Sequence, residues 1–560
     1  MLKKIKNLFS QESTVTSEIS WEKILGKNWE SVKGLAKTAD HNSHRVLIAT
    51  SMGGFQVGAL LESTLAVALV LRGAAVDILL DDAFLPACQL TTISAGSPEE
   101  MLGSSAPPYC STCFPNGKKM FEPLGLPIYW YSQLVRKEQI DEAQRISQSL
   151  PYEGIEDFRL DDLAVGEHAM AGALRYFARG DLHDEPSGES ILRLYLKSAL
   201  LSVYVIRALL KLNKYDVVCF NHGIYAPQGL IGEVCRHENV RVVNWNPAYR
   251  KHSFVFSHND SYHHTMITES VKQWENLKWS QHLKVPLLEY LESRKTGTQD
   301  WIWFHEKPEE KLVQISEEIG VDFSRPVIGA LTSVMWDAKL HYKANAFPNM
   351  IDWIKSTVEY FSKRPDLQLL IRVHPAEIRG TLPSRQPLMG EIQRLFPVLP
   401  SNVFVIPPES QVSTYAIMEQ CDSVIIYNTK TGIEASSMGV PVIVAGEAWI
   451  RNKGFTLDAS SPETYNILLD RLPLSERLSV DQLERARKYA FHFFFRRMIP
   501  LPFISPVEPK AAKMQLNINS LDDLLPGKYK GLDIVCDGIL HNTDFEYPAE
   551  LYVNAGKTDL

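Results

Sequence analysis

The sequence has no uninterrupted apolar run long enough for a membrane-spanning helix. The nearest candidate, Leu65–Leu71, is preceded by Glu62 and ended by Arg72, whereas a span needs about 20 apolar residues. The first nine residues, MLKKIKNLF, are basic and amphipathic, but no apolar region or cleavage site of a secretory signal follows them. We therefore expect no transmembrane segment. We interpret residues 1–9 either as a frayed terminus or as a weak peripheral contact with a membrane surface.

Two further absences concern positive charge and cysteine. The 560 residues carry 58 Lys and Arg against 66 Asp and Glu, a net charge of -8, which argues against a protein whose main task is to bind nucleic acid. Seven cysteines, an odd number, are scattered without the spacing of a disulfide framework. Free thiols are typical of the reducing cytoplasm. We predict that location, at the inner face of the plasma membrane if residues 1–9 bind there.

Two cofactor signatures are also missing. The predicted strand Arg45–Thr50 runs into a turn that contains Gly53 and Gly54, but the glycine spacing is not GxGxxG, so NAD is not predicted. This turn either lets the backbone approach a substrate or packs a helix against the strand. Cys110 and Cys113 form a lone CxxC in a loop that contains proline and glycine. The pair is either loop structure or a metal or redox site, and no second pair lies nearby.

The sequence does contain an alternation of predicted strands and helices, and this alternation begins twice along the chain. Short apolar runs bounded by polar turns indicate buried parallel strands, and helical periods separate them. The predicted strands are Arg45–Thr50, Val76–Leu80, Asp216–Phe220 and Val240–Trp245, then Pro326–Leu331, Leu367–Val373, Val403–Ile406, Val424–Tyr427 and Val440–Val444. We predict an α/β fold of two Rossmann-like domains that face each other across a cleft.

The predicted domain boundaries follow this alternation. They give a polar leader at 1–40, a first Rossmann-like domain at 41–315, a second at 325–475, a helical segment at 476–505 and a C-terminal tail at 506–560. Because the last 50 residues are polar and weakly patterned, we expect the tail to be mobile or loosely docked.

The stretch from residue 421 to residue 445 shows what a strand-end turn offers here. A strand is followed by a polar turn with Thr429, Lys430, Thr431 and Gly432, and then by a short helix. Free amide groups and the helix dipole suit a phosphate at such a place, and the side chains add two hydroxyls and a charge. Taken alone, the segment is equally compatible with an ordinary capped helix.

Four turns of the second half follow strands, so they are expected to line one edge of the sheet. They are Thr332–Asp337, Arg372–Glu377, Pro407–Ser410 and Asn428–Glu434. Arg372, His374 and Lys430 are cationic or can become so. Glu434 and Glu409 can accept hydrogen bonds from a ribose or a base. This set predicts a nucleotide phosphate with its ribose rather than a hydrophobic ligand.

The first half offers fewer signals. His222 stands at the end of the third predicted strand and is either a ligand contact or a structural histidine. The charges of the helical span Leu160–Asp181, which include Asp162 and Glu167, form either a solvated face or a cleft wall. The segment Asn246–His264 is rich in His, Tyr and Arg without a clean period, and it either lines a cleft or wraps a sheet edge.

Several segments of residues 325–505 resemble the capsule polysaccharide biosynthesis and export group of bacterial glycosyltransferases, which includes the Kdo transferases of capsule assembly. They are Thr332-Ser-Val-Met-Trp336-Asp337, Arg372-Val-His374-Pro375, Asn428-Thr-Lys-Thr-Gly-Ile-Glu434-Ala, Gly439-Val-Pro441-Val and Tyr489–Met498 with its Phe-Arg-Arg run. The His-Pro pair is also similar to that of bacterial sialyltransferases and of the polyol-phosphate transferases of teichoic acid synthesis.

The resemblance implies a fold of the GT-B type, with an activated sugar nucleotide in the second domain, the acceptor in the first, and a segment at 476–505 that crosses back. It implies that His374 binds the donor phosphate, that residues 429–432 surround it, and that Glu434 holds the ribose. No metal and no cofactor are expected. GT-B transferases stabilise the leaving phosphate with side chains and a helix dipole, and no Asp-x-Asp motif stands at a strand end.

We therefore predict a metal-independent glycosyltransferase that moves a sugar from a nucleotide-activated donor to a surface or capsular polysaccharide or a glycolipid. The candidate bases for an inverting reaction are His222, Asp162 and Glu167. The candidate substrate-binding residues are Gly53, Gly54, Asp337, Arg372, His374, Pro375, Glu377, Thr429, Lys430, Thr431, Gly432 and Glu434. Two alternatives stay open: a sugar-nucleotide epimerase of the same fold, which needs no separate acceptor, and a non-catalytic protein that binds nucleotide or polysaccharide.

Overall fold

The computed structural model describes residues 21–38, 44–301, 312–342, 344–474, 476–507 and 513–553. The basic segment 1–9 lies outside them. Among the described residues, no helix is long and apolar enough to cross a membrane.

The strands and helices alternate along most of the chain. The strands are β1 (Arg45–Ser51), β2 (Ala75–Leu80), β3 (Ile128–Trp130), β4 (Val217–Asn221), β5 (Arg241–Pro247), β6 (Ser253–His258), β7 (Val327–Leu331), β8 (Gln368–Arg372), β9 (Val403–Ile406), β10 (Ser423–Ile426), β11 (Val442–Val444), β12 (Leu457–Asp458), β13 (Ile499–Pro500), β14 (Ile504–Pro506) and β15 (Met514–Leu516). The helices are α1 (Trp21–Leu25), α2 (Trp29–Thr38), α3 (Gln56–Val70), α4 (Pro98–Gly103), α5 (Cys110–Phe121), α6 (Tyr131–Leu134), α7 (Lys137–Ser149), α8 (Val165–Phe177), α9 (Gly188–Leu212), α10 (Gln228–His237), α11 (Tyr262–Thr268), α12 (Gln281–Ser293), α13 (Leu312–Ile319), α14 (Met350–Phe361), α15 (Ala376–Arg379), α16 (Leu388–Leu395), α17 (Thr414–Gln420), α18 (Thr431–Ser437), α19 (Pro462–Leu469), α20 (Val480–Phe491) and α21 (Lys530–His541).

Two sheets carry the fold. The first has the order β13-β6-β5-β4-β1-β2-β3 and the second the order β12-β11-β10-β7-β8-β9. The second sheet is parallel throughout, and its central strands are buried along their whole length, as expected for a sheet covered on both faces. The predicted fold class, an α/β chain with two Rossmann-like domains facing a cleft, is confirmed.

The end of the second half returns to the first sheet. Helix α20 runs into a π-helical turn at His492–Arg496, and β13 then pairs antiparallel with β6. The side chains of Phe493 and Phe494 in that turn are buried. An aromatic-rich π turn therefore fastens the two halves together beside the cleft.

The expectation of a mobile or loosely docked tail is wrong for residues 513–553. Helix α21 packs against α3 and β4 of the first half, and Leu532, Val535 and Ile539 are fully buried. These residues lie three and four positions apart, which places them on one helical face. The surrounding polar residues conceal this short apolar stripe in the sequence.

The CxxC segment is also not a loop. Cys110 and Cys113 open helix α5, which contains Pro115. A proline removes one helical hydrogen bond, but the buried side chains of Cys113 and Phe121 anchor the helix against the first sheet. Packing thus overrides the local proline and glycine signal.

Candidate active site

A cleft of about 470 Å³ opens between the two halves. From the second half it is lined by the turns after β7, β8 and β10, and from the first half by residues that follow β5 and α12. The predicted turn Pro407–Ser410 does not line it. Ser413, Thr414 and Tyr415 at the start of α17 do so instead, because the chain folds back after the turn before the helix begins.

His374 and Glu434, which come from two different strand ends, line the same cleft. The backbone amide of His374 donates to Thr332 Oγ1 over 3.0 Å, and the amide of Ala376 donates to His374 Nδ1 over 3.0 Å. Burial, with Lys430 and Arg372 nearby, lowers the pKa of His374 to about 4. The ring is therefore neutral at pH 7, with its proton on Nε2 as a hydrogen-bond donor.

Lys430 and Glu434 stand one helical turn apart at the start of α18. Lys430 Nζ lies 3.3 Å from Glu434 Oε1 and 4.7 Å from the centre of the Tyr249 ring. Burial alone would raise the pKa of Glu434, but Arg294 and Lys430 hold it at about 2. The carboxylate is thus charged at all ordinary pH values.

The two oxygens of Glu434 have different surroundings. Oε1 accepts from Arg294 Nε, from Tyr415 Oη over 3.0 Å and from Lys430 Nζ. Oε2 is buried and has no partner among the described residues. A buried acceptor without a partner is costly, and Glu434 lines the cleft.

The remaining turn residues at the predicted phosphate position are close together. Thr429 Oγ1 lies 3.0 Å from Thr431 Oγ1, and Pro375 and both threonines line the cleft. Gly432 does not. A Cβ on it would lie 2.5 Å from Ile450 Cδ1, so this glycine lets α18 pack closely instead of facing a ligand.

Arg372 and Glu377 have largely structural contacts. Arg372 lines the cleft, yet its Nη1 donates to the Pro407 carbonyl over 2.6 Å and its Nη2 to the Ser410 carbonyl over 3.3 Å. Glu377 is buried away from the cleft and accepts the amide of Leu388 over 3.2 Å, and burial raises its pKa to about 7. Both side chains therefore hold the loops that surround the cleft.

Gly53 and Gly54 do not reach the cleft. A Cβ on Gly53 would lie 2.2 Å from the Cα of Gly117, and one on Gly54 would lie 3.0 Å from Cys113 Sγ. Of the two interpretations of this turn, the structure shows the packing of a helix, α5, against the end of β1.

The three candidate bases lie outside the cleft lining. Asp162 is exposed. Glu167 Oε1 accepts the amide of His341 over 2.5 Å and so joins the two halves. The His222 ring lies 4.8 Å from that of Tyr225 and 5.9 Å from that of Tyr262, and burial lowers its pKa to about 3. Their catalytic role stays a prediction that these positions do not favour.

Asp337 is, with Glu434, a predicted carboxylate that the structure does bring into the cleft. Its Oδ1 accepts from Tyr225 Oη over 2.8 Å, and the same hydroxyl accepts the amide of Ala338 over 2.8 Å. Asp337 forms no ion pair with another described residue. Since Tyr225 belongs to the first half, the loop after β7 is held at the junction with this carboxylate facing the open space.

Sequence reasoning missed the wall that the first half contributes. Three residues of this wall, Tyr249, Tyr262 and His263, belong to the segment Asn246–His264. The His and Tyr content of that segment indicated a cleft wall or a sheet edge, but not which of its residues face the cleft. The cleft-wall interpretation of that segment agrees with these positions, and its middle forms β6, which lies between β5 and β13 in the first sheet. Arg294 gave no signal, because it ends a charged helix that resembles a solvated one.

Among the described residues, no group of three or more His, Cys, Asp or Glu side chains is arranged to hold a metal ion. This includes the neighbourhood of Cys110 and Cys113, both of which are free thiols.

Residues 333–472 match the model of the capsule polysaccharide biosynthesis protein family. The match contains the cleft-lining turns after β8 and β10 and all but the first residue of the turn after β7. It confirms the predicted resemblance over that segment. No curated protein matches the chain.

Solved structures give distant likenesses. KpsC of Thermosulfurimonas dismutans, described as a beta Kdo 2,4 transferase, is 12% identical, covers 56% of this chain and 87% of its own, and has a TM-score of 0.34. The UDP-GlcNAc 2-epimerase of Neisseria meningitidis, solved with UDP-GlcNAc, is 11% identical, covers 80% and 94%, and has a TM-score of 0.23. Likenesses this low carry no argument about activity.

Proposed function

We propose that this protein is a glycosyltransferase that moves a sugar from a nucleotide-activated donor to a carbohydrate or glycolipid acceptor in capsule or surface polysaccharide assembly. The observation that carries the proposal is the convergence of His374, Lys430 and Glu434 on one cleft, inside the segment that matches the capsule polysaccharide biosynthesis family. In this proposal the second half binds the donor and the first half binds the acceptor.

The donor nucleotide fits the second half by its polar groups. Its phosphate lies against His374, Lys430 and the hydroxyls of Thr429 and Thr431, which can share the charge that develops as the nucleotide leaves. One ribose hydroxyl donates to the unpartnered Oε2 of Glu434. With cationic side chains in this place, the reaction is proposed to need no divalent ion.

Asp337 supplies the catalytic carboxylate. It lines the same cleft as the proposed donor site and the aromatic wall of the first half. In an inverting reaction it takes the proton of the acceptor hydroxyl, and in a retaining reaction it attacks the sugar. The anomeric configuration of the product decides between the two roles.

The test is a turnover experiment with sugars linked to CMP, UDP, GDP, CDP and TDP and a set of short oligosaccharide acceptors. Mass spectrometry is expected to show an acceptor enlarged by one sugar, with an equal amount of free nucleotide, in the presence of EDTA. Asp337→Asn is expected to slow this reaction by about 10²- to 10⁴-fold and to leave nucleotide binding intact.

Other outcomes would point elsewhere. An isomerised sugar nucleotide formed without acceptor would identify an epimerase. Nucleotide binding without any turnover would identify a non-catalytic binding protein. Loss of turnover in EDTA, restored by a divalent ion, would overturn the metal-independent mechanism alone.

A further inference from the structure

Arg294 reaches the cleft from the first half of the chain. It follows the last residue of α12 directly, and its side chain is only 5% exposed. Its Nη1 donates to Asp300 and, over 2.9 Å, to Tyr290 Oη, while its Nε donates to Glu434 of the second half. The guanidinium is therefore fixed between carboxylates from both halves.

The remaining nitrogen, Nη2, takes part in none of these three bonds, and the guanidinium also lies within hydrogen-bonding reach of the Tyr415 hydroxyl. Arg294 lines the cleft. The rings of Phe494 and Tyr249 stand 5.2 Å and 5.8 Å from its guanidinium carbon. A nearly buried guanidinium at the wall of an open cleft is suited to an oxyanion.

Lys430 makes the same place more favourable for an anion. Its Nζ approaches the same oxygen of Glu434 that Arg294 holds. The two cations thus stand on either side of one carboxylate, and His374 lies on the next strand end with a neutral ring. Lys430 and His374 belong to the second half, whereas Arg294, like Lys295, lines the cleft from the first half.

We propose that Arg294 is a substrate-binding residue, which donates through Nη2 to a phosphate of the bound nucleotide and completes from the first half the anion site formed by Lys430 and His374. This proposal rests on the proposed function for the identity of the ligand, but not for the presence of the anion site. Because Arg294 also binds Glu434, occupation of the site draws both halves onto one ligand.

The experiment measures the affinity for inorganic pyrophosphate at constant ionic strength, by calorimetry, in the full-length chain. Arg294→Gln and Arg294→Lys are expected to weaken binding by about 10- to 100-fold, the effect of losing one hydrogen bond to a charged group. Arg294→Lys keeps a positive charge between Asp300 and Glu434, so it is the variant less prone to a folding defect. Melting curves show whether both variants are folded.

A matched variant separates the contact made by Arg294 from a general effect of the arginines between the halves. Arg485→Lys changes another arginine that joins the halves, through Lys453 and Glu275, and is expected to leave pyrophosphate binding unchanged. If Arg485→Lys weakens binding as much as Arg294→Lys does, the loss does not come from a contact of Arg294 with the anion and the proposal is overturned.

Failure of this proposal can be told from failure of the proposed function. Wild-type protein that does not bind pyrophosphate, or Arg294 variants that bind it normally, would remove the anion contact even if nucleotide sugars turn over. Normal pyrophosphate results without any nucleotide binding would instead retain the anion site and reject the nucleotide donor.

Discussion

At the scale of single residues, Glu434 is where the two halves of the cleft meet. Its Oε1 accepts from Arg294, Tyr415 and Lys430, and its side chain is 2% exposed. Burying an ion pair costs desolvation energy. Removing one partner is strongly destabilising, because it leaves the other charge buried without compensation.

Replacing Glu434 by Gln is therefore expected to destabilise the folded protein by about 3 kcal/mol, the low end of the range for a broken buried pair, because Arg294 keeps Asp300. Chemical unfolding measures the difference. Glu419→Gln is the matched control, since Glu419 pairs with Lys295 over 3.5 Å at the surface and its loss should cost less than about 1 kcal/mol. Equal effects of the two variants would contradict this account of Glu434.

Residue by residue, the sequence predicts the second half of the site better than the first. Lys430, His374 and Glu434 follow apolar runs directly, so their place at one sheet edge follows from parallel topology. Arg294 lies 140 positions before Glu434, and no local pattern announces that contact. The place of Asp337 in a strand-end turn predicts substrate binding, but its hydrogen bond to Tyr225 of the other half is seen only in the folded chain.

At the scale of elements, the turn after β1 is shaped by its contact with α5. The backbones of Gly53 and Gly117 are so close that an added Cβ on Gly53 would lie 2.2 Å from the Cα of Gly117. Neither group is a flexible side chain end that could move aside.

Gly53→Ala is consequently expected to lower the free energy of unfolding by about 1–3 kcal/mol, as overpacking does in a dense interior. The control is Gly103→Ala, where an added Cβ meets nothing within 4 Å. Denaturant unfolding of both variants provides the measurement, and a Gly53→Ala protein as stable as the wild type would refute the close contact.

The elements themselves were predictable where burial is continuous. Strands such as β7 and β10 are short apolar runs because both of their faces are covered. The helix α5 was not, since Pro115 argues locally for a loop. Strand β6 was missed because its short apolar stretch is flanked by polar residues of the segment Asn246–His264.

At the scale of the whole molecule, residues from about 499 onward complete the first domain. Strand β13 extends the first sheet, and α21 covers β4 and α3. The folding of the first half thus depends on residues from about 499 onward, which a reading of the sequence in order does not reveal.

Leu532 tests that dependence. Its side chain is fully buried, so Leu532→Ala is expected to cost about 2–5 kcal/mol of unfolding free energy. Leu551, which is 73% exposed, serves as the control, and Leu551→Ala should have little effect. Thermal or chemical unfolding that shows no loss for Leu532→Ala would mean that α21 is only loosely attached.

Acid should destabilise the whole protein through buried histidines. Burial lowers the pKa of His222 to about 3 and those of His263 and His374 to about 4, from an ordinary value of 6.5. The unfolded chain therefore binds more protons between these values, and stability falls as pH falls from about 6.5 towards 4. We expect His263→Phe to flatten that dependence in melting experiments, and the exposed variant His183→Phe to leave it unchanged.

The central claim is that the cleft binds a nucleotide through His374 and Lys430. A thermal-shift panel of CMP, UDP, GDP, CDP and TDP tests it directly, because a ligand that binds only the folded state raises its melting temperature. We predict a shift with one nucleotide for the wild type and for the surface variant Lys363→Ala, and its loss in His374→Ala and Lys430→Ala. No shift with any of the five nucleotides, or an undiminished shift in both cleft variants, would contradict the claim.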